Sequence, residues 1–156
     1  MKCRLLAAGT RLPSWINEGF AEYQKRLRTP LSLELHEISV ATRRAGEDTK
    51  KAVQREGADM LALLGKDDYV VALEIGGKAM STEQLSQWLK GRLQEGRPLA
   101  LLIGGPDGLS EGCRQRADFS WSLSALTLPH ALVRVVLAEQ IYRATSLLAG
   151  HPYHRA

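Results

Sequence analysis

At 156 residues the chain is long enough to bury a core of its own and short enough for a single domain. A content of 44% hydrophobic and 24% charged residues excludes a disordered chain. No apolar run approaches the roughly 20 residues a membrane-crossing helix needs, and a net charge of +4 suits a polyanionic partner such as RNA without requiring one.

The opening residues Met1 to Gly9 have too short an apolar stretch for an export signal. Arg4 interrupts it, so Cys3–Ala8 reads as a buried strand. Pro13–Arg28 reads as a helix with Ile16, Phe20, Tyr23 and Leu27 on one face, stopped near Thr29 by Pro30. In Leu31–Ile38 the leucines 31, 33 and 35 alternate with Ser32, Glu34 and His36, the pattern of an edge strand with one wet face. A polar, basic connection, Ala41 to Glu47, precedes a helix that runs to about Leu64, with Val53, Met60, Leu61 and Leu64 spaced around Gly57.

Tyr69–Leu73 and Leu99–Ile103 are short, continuously apolar runs, as strands covered on both faces should be. Between them Ser81-Thr82-Glu83-Gln84 is a capping-box pattern. The helix it opens carries Leu85, Trp88, Leu89 and Leu93 and closes at Gly96. A glycine-rich loop, a short helix near Ser110–Arg116 and an alternating stretch Phe119–Leu123 follow. The last helix, His130 to Ala149, is apolar on more than one face, which predicts cover on more than one side and, in a domain this small, a partner subunit related by C2 symmetry. The expected fold is one α/β domain over residues 1–156, with a mostly parallel sheet and helices on both faces.

Ligands of open α/β sheets collect at the carboxyl ends of the strands. Here those ends are Leu73 to Gly77, Ile103 to Gly108 and Leu123 to Pro129. Gly104-Gly105-Pro106-Asp107-Gly108 is no G-x-G-x-x-G, Gly76-Gly77-Lys78-Ala79 lacks the hydroxyl residue of a P-loop, and there is no G-x-S-x-G. Dinucleotide, nucleoside-triphosphate and serine-hydrolase chemistries lose weight accordingly. On the residues alone the glycines read as tight βα turns.

The tail His151-Pro152-Tyr153-His154-Arg155-Ala156 concentrates two imidazoles, a phenol and a guanidinium. Such a set can stack on a base, take a proton near neutral pH and hold a phosphate; equally, it can be a frayed end. His151 and His154 miss the i, i+4 spacing of a helical zinc pair. Cys3 and Cys113, also without metal-type spacing, read as reduced, packed thiols, and with no export signal the expected location is the cytoplasm. Arg43, Arg44, Lys50 and Lys51 are the expected phosphate contacts.

Three segments carry a resemblance: Leu102 to Leu109, Trp121 to His130 and His151 to Arg155. Together they resemble the RlmH family of SPOUT-class enzymes, which methylate N3 of a pseudouridine in bacterial 23S (large-subunit) rRNA. The likeness spans the whole chain and is sharpest after Leu99. It implies a C-terminal trefoil knot, a homodimer and S-adenosylmethionine as methyl donor. It also implies main-chain binding of that donor at Leu73, Gly104 and the loop Leu123, Ser124, Ala125, Leu126, Thr127 and Leu128. On this basis His154 is expected to act as general base or to polarise the target base, Tyr153 to stack on or position that base and Arg155 to hold an rRNA phosphate, with the proton going to either Tyr153 or His154 and no metal involved. A non-catalytic rRNA-binding protein on the same fold is the alternative.

Overall fold

Strand periodicity divides the core into two layers. Cys3, Leu5 and Ala7 face one way and join Leu99, Leu101 and Ile103, whereas Leu6 and Ala8 face the other way with Ala100 and Leu102. The computed structural model describes residues 1–40 and 48–155. It contains a five-stranded sheet of β1 (Lys2–Ala8), β2 (Ser32–Ile38), β3 (Tyr69–Ala79), β4 (Leu99–Ile103) and β5 (Phe119–Ser122). The order is β2-β1-β4-β3-β5 and every neighbouring pair is parallel, so the opening segment is a strand and β2 lies at an edge, as expected.

On the first layer lie α1 (Ser14–Gln24), α3 (Thr82–Glu95) and α5 (His130–Leu148); on the second lie α2 (Thr49–Ala62) and α4 (Glu111–Arg116). The capping box of α3 forms as read: the Ser81 hydroxyl accepts from the Gln84 N–H while the Gln84 carbonyl oxygen accepts from the Ser81 N–H. Asp48 and Ser110 cap α2 and α4 one way only, their side-chain oxygens accepting from the Lys50 and Cys113 N–H groups.

Three expectations about element bounds need correction. Helix α1 ends at Gln24, not Arg28, because the chain tightens there into i to i−3 bonds from Arg26 to Tyr23 and from Leu27 to Gln24; Leu27 is buried regardless. Of the expected α2 stripe Met60 is buried, whereas Val53, Leu61 and Leu64 are half-buried, and the fully buried face is Ala52, Glu56, Gly57 and Met60. Gly57 lets that face close on Ser110, since a Cβ there would lie 2.1 Å from the Ser110 hydroxyl. Strand β3 does not stop at Leu73. Trp121 of β5 pairs with both Leu73 and Lys78, and the four residues between them, Glu74 to Gly77, bulge outward.

Both cysteines are free and buried, and burial pushes the Cys3 thiol up to about 12. No helix among the described residues is long and apolar enough to cross a membrane. The segment with Arg43 and Arg44, together with Ala156, lies outside the described residues.

Candidate active site

A cavity of about 420 Å³ opens at the carboxyl ends of β3, β4 and β5. That is within the size range of small-ligand sites. Three stretches of chain wall it, and each is one of the strand ends singled out in the sequence. The β3 bulge contributes Leu73, Glu74, Ile75 and Gly76, and the turn after β4 contributes Gly104, Gly105 and Gly108. The loop after β5 contributes Leu123, Ser124, Leu126 and Leu128. Ala125 and Thr127 are exposed and do not line it.

The walls are made of main chain packed on main chain. A Cβ on Gly104 would lie 2.4 Å from the Gly108 carbonyl carbon, so only glycine lets the turn close. That turn carries a Gly105–Gly108 bridge, the Gly108 N–H donating to the Gly105 carbonyl at 3.1 Å, and Gly108 has a φ of +81°. The tight-turn reading of these glycines is therefore correct, and the turn is itself a wall of the cavity. In the β5 loop the Ser122 hydroxyl donates to the Ser124 carbonyl, and the Ser124 hydroxyl accepts from the Leu126 N–H. These bonds fix the loop's path while leaving Leu126 72% exposed, opposite Ile75 at 62%. Two large apolar side chains left wet at one mouth mark a surface a ligand would cover.

Charge in the cavity is sparse. Glu74 is the one carboxylate among the lining residues and Arg114 the one permanent cation, and the Arg114 Nε–H donates to Glu74 Oε1 across the rim. His130, at the start of α5, also lines the cavity; burial first, then the nearby Arg134 guanidinium, hold its imidazole below the ordinary value of 6.5. Arg134 is buried beneath it, donating from Nη1 to Glu37 and from Nη2 to the Gly9 carbonyl, both at 2.7 Å. The sequence reading missed Glu74 and Arg114 as a pair. They are 40 residues apart, and only the strand order places α4 beside the β3 bulge.

The tail lies elsewhere on the same chain. Pro152–Arg155 forms one turn of 3-10 helix laid back along α5. The Tyr153 hydroxyl donates to Glu139 at 3.2 Å, its ring meets Tyr142 edge-on at 4.6 Å, and the Arg143 guanidinium sits 4.9 Å over it. Burial, the Tyr23 hydroxyl and the Glu139 carboxylate together push the Tyr153 phenol well above its ordinary range. His154 Nδ1 lies 2.6 Å from the His151 carbonyl. A carbonyl only accepts, so Nδ1 carries a proton, and in the neutral tautomer the lone pair is on Nε2. Arg155 is exposed. None of Tyr153, His154 and Arg155 lines the cavity of its own chain; from Val133 at the cavity to Glu139 under the tail is about 9 Å along α5. Among the described residues no group of three or more His, Cys, Asp or Glu is placed to hold a metal ion.

A family model described as predicted SPOUT methyltransferase matches residues 1–154. The chain is 54% identical over 156 residues to a protein of Xanthomonas oryzae pv. oryzae (strain PXO99A) named ribosomal RNA large subunit methyltransferase H, with all of both chains covered. A protein of the same name from Alkalilimnicola ehrlichii is 55% identical over the same 156 residues, again covering both chains completely. One from Methylococcus capsulatus is 51% identical over 155 residues, 99% of this chain and 100% of that one. The chain belongs to the SPOUT methyltransferase family.

Proposed function

We propose that this chain is an S-adenosylmethionine-dependent methyltransferase of bacterial 23S rRNA, acting in the cytoplasm as a homodimer and methylating N3 of a pseudouridine. The observation that carries the reading is the cavity. It is a slot walled by turns and flanked by exposed Ile75 and Leu126, and it suits an adenosine laid against main-chain donors and acceptors. Leu73, Gly104 and the loop Leu123–Leu128 would hold the donor by their backbone, Ala125 and Thr127 included. The donor supplies an activated methyl group on sulfur, and no metal is needed.

What this chain's own residues must do is align the acceptor nitrogen and remove its proton, because an imide N–H is only weakly acidic. His154 Nε2 is suited to accept that proton. Tyr153 keeps its own proton at neutral pH, so its role is to position the base. Arg155, exposed beside them, would hold an rRNA phosphate. A tail that lines no cavity on its own chain is best used in a C2 dimer, where it serves the partner's slot. The half-buried Leu132, Val136 and Leu147 of α5 favour such a dimer. The crossing of residues 123–129 from β5, at the sheet edge, back to α5, which packs on β4, is the segment that would tie the knot. Residues 1–156 would then act as one domain. A non-catalytic rRNA-binding role is disfavoured, since such a protein has no use for a slot of this size.

The test is incubation with methyl-labelled donor and ribosomes from a strain lacking the activity, followed by mapping of the label. A single labelled pseudouridine in the large-subunit rRNA is expected. Ribosome binding with no transferred label would overturn the proposal.

A further inference from the structure

The cavity holds one carboxylate and one permanent cation, and the two are bonded to each other. Glu74 sits on the outward bulge of β3 and Arg114 on α4, beside the Gly108 turn. Nothing in the fold obliges them to be charged: neither belongs to the core, and the other lining side chains are apolar apart from Ser122, Ser124 and His130. Their bond engages one carboxylate oxygen and the guanidinium's Nε–H, and Glu111 stands 3.8 Å from Nη1, which leaves the Nη2 side of the fork and the second Glu74 oxygen for a ligand. A paired carboxylate and guanidinium at the rim of an otherwise apolar slot is complementary to one chemical class, an α-amino acid zwitterion. An ammonium seats on the carboxylate, and a carboxylate is gripped by the guanidinium fork.

We infer that Glu74 and Arg114 recognise the amino-acid head of the methyl donor, Glu74 taking its ammonium and Arg114 its carboxylate. The inference rests on the donor reading of the cavity given above. It assigns the two side chains that distinguish the complete donor from a bare thioadenosine, a task that main-chain groups and leucines are ill suited to perform.

The experiment is calorimetry on the full-length protein with two probes, S-adenosylhomocysteine and 5′-methylthioadenosine, which lacks the amino-acid head. The wild type should bind the first more tightly. In Glu74→Gln with Arg114→Gln that preference should fall about tenfold, the low end for hydrogen bonds between charged groups because Arg114 is nearly half exposed. Methylthioadenosine affinity should be unchanged, which also reports that the slot has kept its shape. Each single variant should lose part of the preference.

Wild-type binding of both probes with an undiminished preference in the double variant would overturn the inference and leave the donor reading standing. Binding of neither probe to the wild type would overturn the donor reading itself. A double variant that keeps the preference but loses affinity for ribosomal particles would move Arg114 to the RNA surface and refute the inference as well.

Discussion

The cavity and the tail are held by different physics. The cavity walls are strand ends and turns in which backbone touches backbone. Gly104 is closed against Gly108, and a Cβ on Gly77 would lie 2.7 Å from the Trp121 nitrogen. The tail is a single turn of helix held by side chains: one phenol–carboxylate bond, one ring contact and the cations over that ring. Walls of the first kind open only when much of the sheet opens, whereas the second is held by interactions of about 1 kcal/mol each and can leave by itself. Under the proposed function, donor binding would belong to the fold and proton removal to a detachable element. Mutations in the two places should separate cleanly.

The largest expected effect is on the tail. His154→Ala should slow methyl transfer by about 10²- to 10⁴-fold, the usual worth of a positioned general base. Donor affinity, read by calorimetry, should stay as it was. Deletion of residues 153–156 should abolish transfer with the same unchanged affinity. Full activity in the deletion would remove the tail from the chemistry. Gly104→Ala should behave in the opposite way. The clash is with main chain that cannot step aside, so a loss of about 3 kcal/mol of stability is expected together with the loss of donor binding. Unfolding midpoints and calorimetry read both, and a variant as stable as the wild type with donor affinity intact would show that the turn yields.

Most of the first region was legible before any coordinates. Continuous apolar runs located β3 and β4, alternation located β2, and the strand-end rule located the three stretches that meet at the cavity. What periodicity could not carry was anything set by tertiary approach. The β3 bulge exists because Lys78 returns to Trp121, and the α2 face closes on the Ser110 side chain at Gly57. The Glu74–Arg114 bond joins residues 40 apart. The residue types of the tail were readable and its position was not, since the residues that hold it, Glu139, Tyr142 and Arg143, lie within a helix whose pattern reports only burial.

Tyr153→Phe probes the tether alone. Removing the hydroxyl should release about 1 kcal/mol of tail docking, seen as roughly fivefold faster hydrogen exchange at residues 153–155. Methyl transfer should change far less than in His154→Ala, because the ring that positions the base remains. A drop as large as that of His154→Ala would mean the hydroxyl itself takes part in the reaction, and the division of labour drawn above would fail.

The smallest effect tests the cavity side through His130. Its imidazole titrates near 6.5 in the unfolded chain and lower in the folded one, through burial first and Arg134 second. Between those two values the unfolded chain binds a proton that the folded chain refuses, so stability falls as pH drops through the window below 6.5. Above that window the group contributes nothing. The charges that bear on it are Arg134, and Glu37 through its bond to Arg134; the latter neutralises part of the guanidinium's field and leaves burial as the main cause. His130→Gln should therefore match the wild type at neutral pH and gain on it as pH falls, by less than about 1 kcal/mol given the ring's part exposure. Melting curves that stay parallel across that window would mean that solvent reaches the ring freely, and that burial at the start of α5 does not hold the imidazole below 6.5.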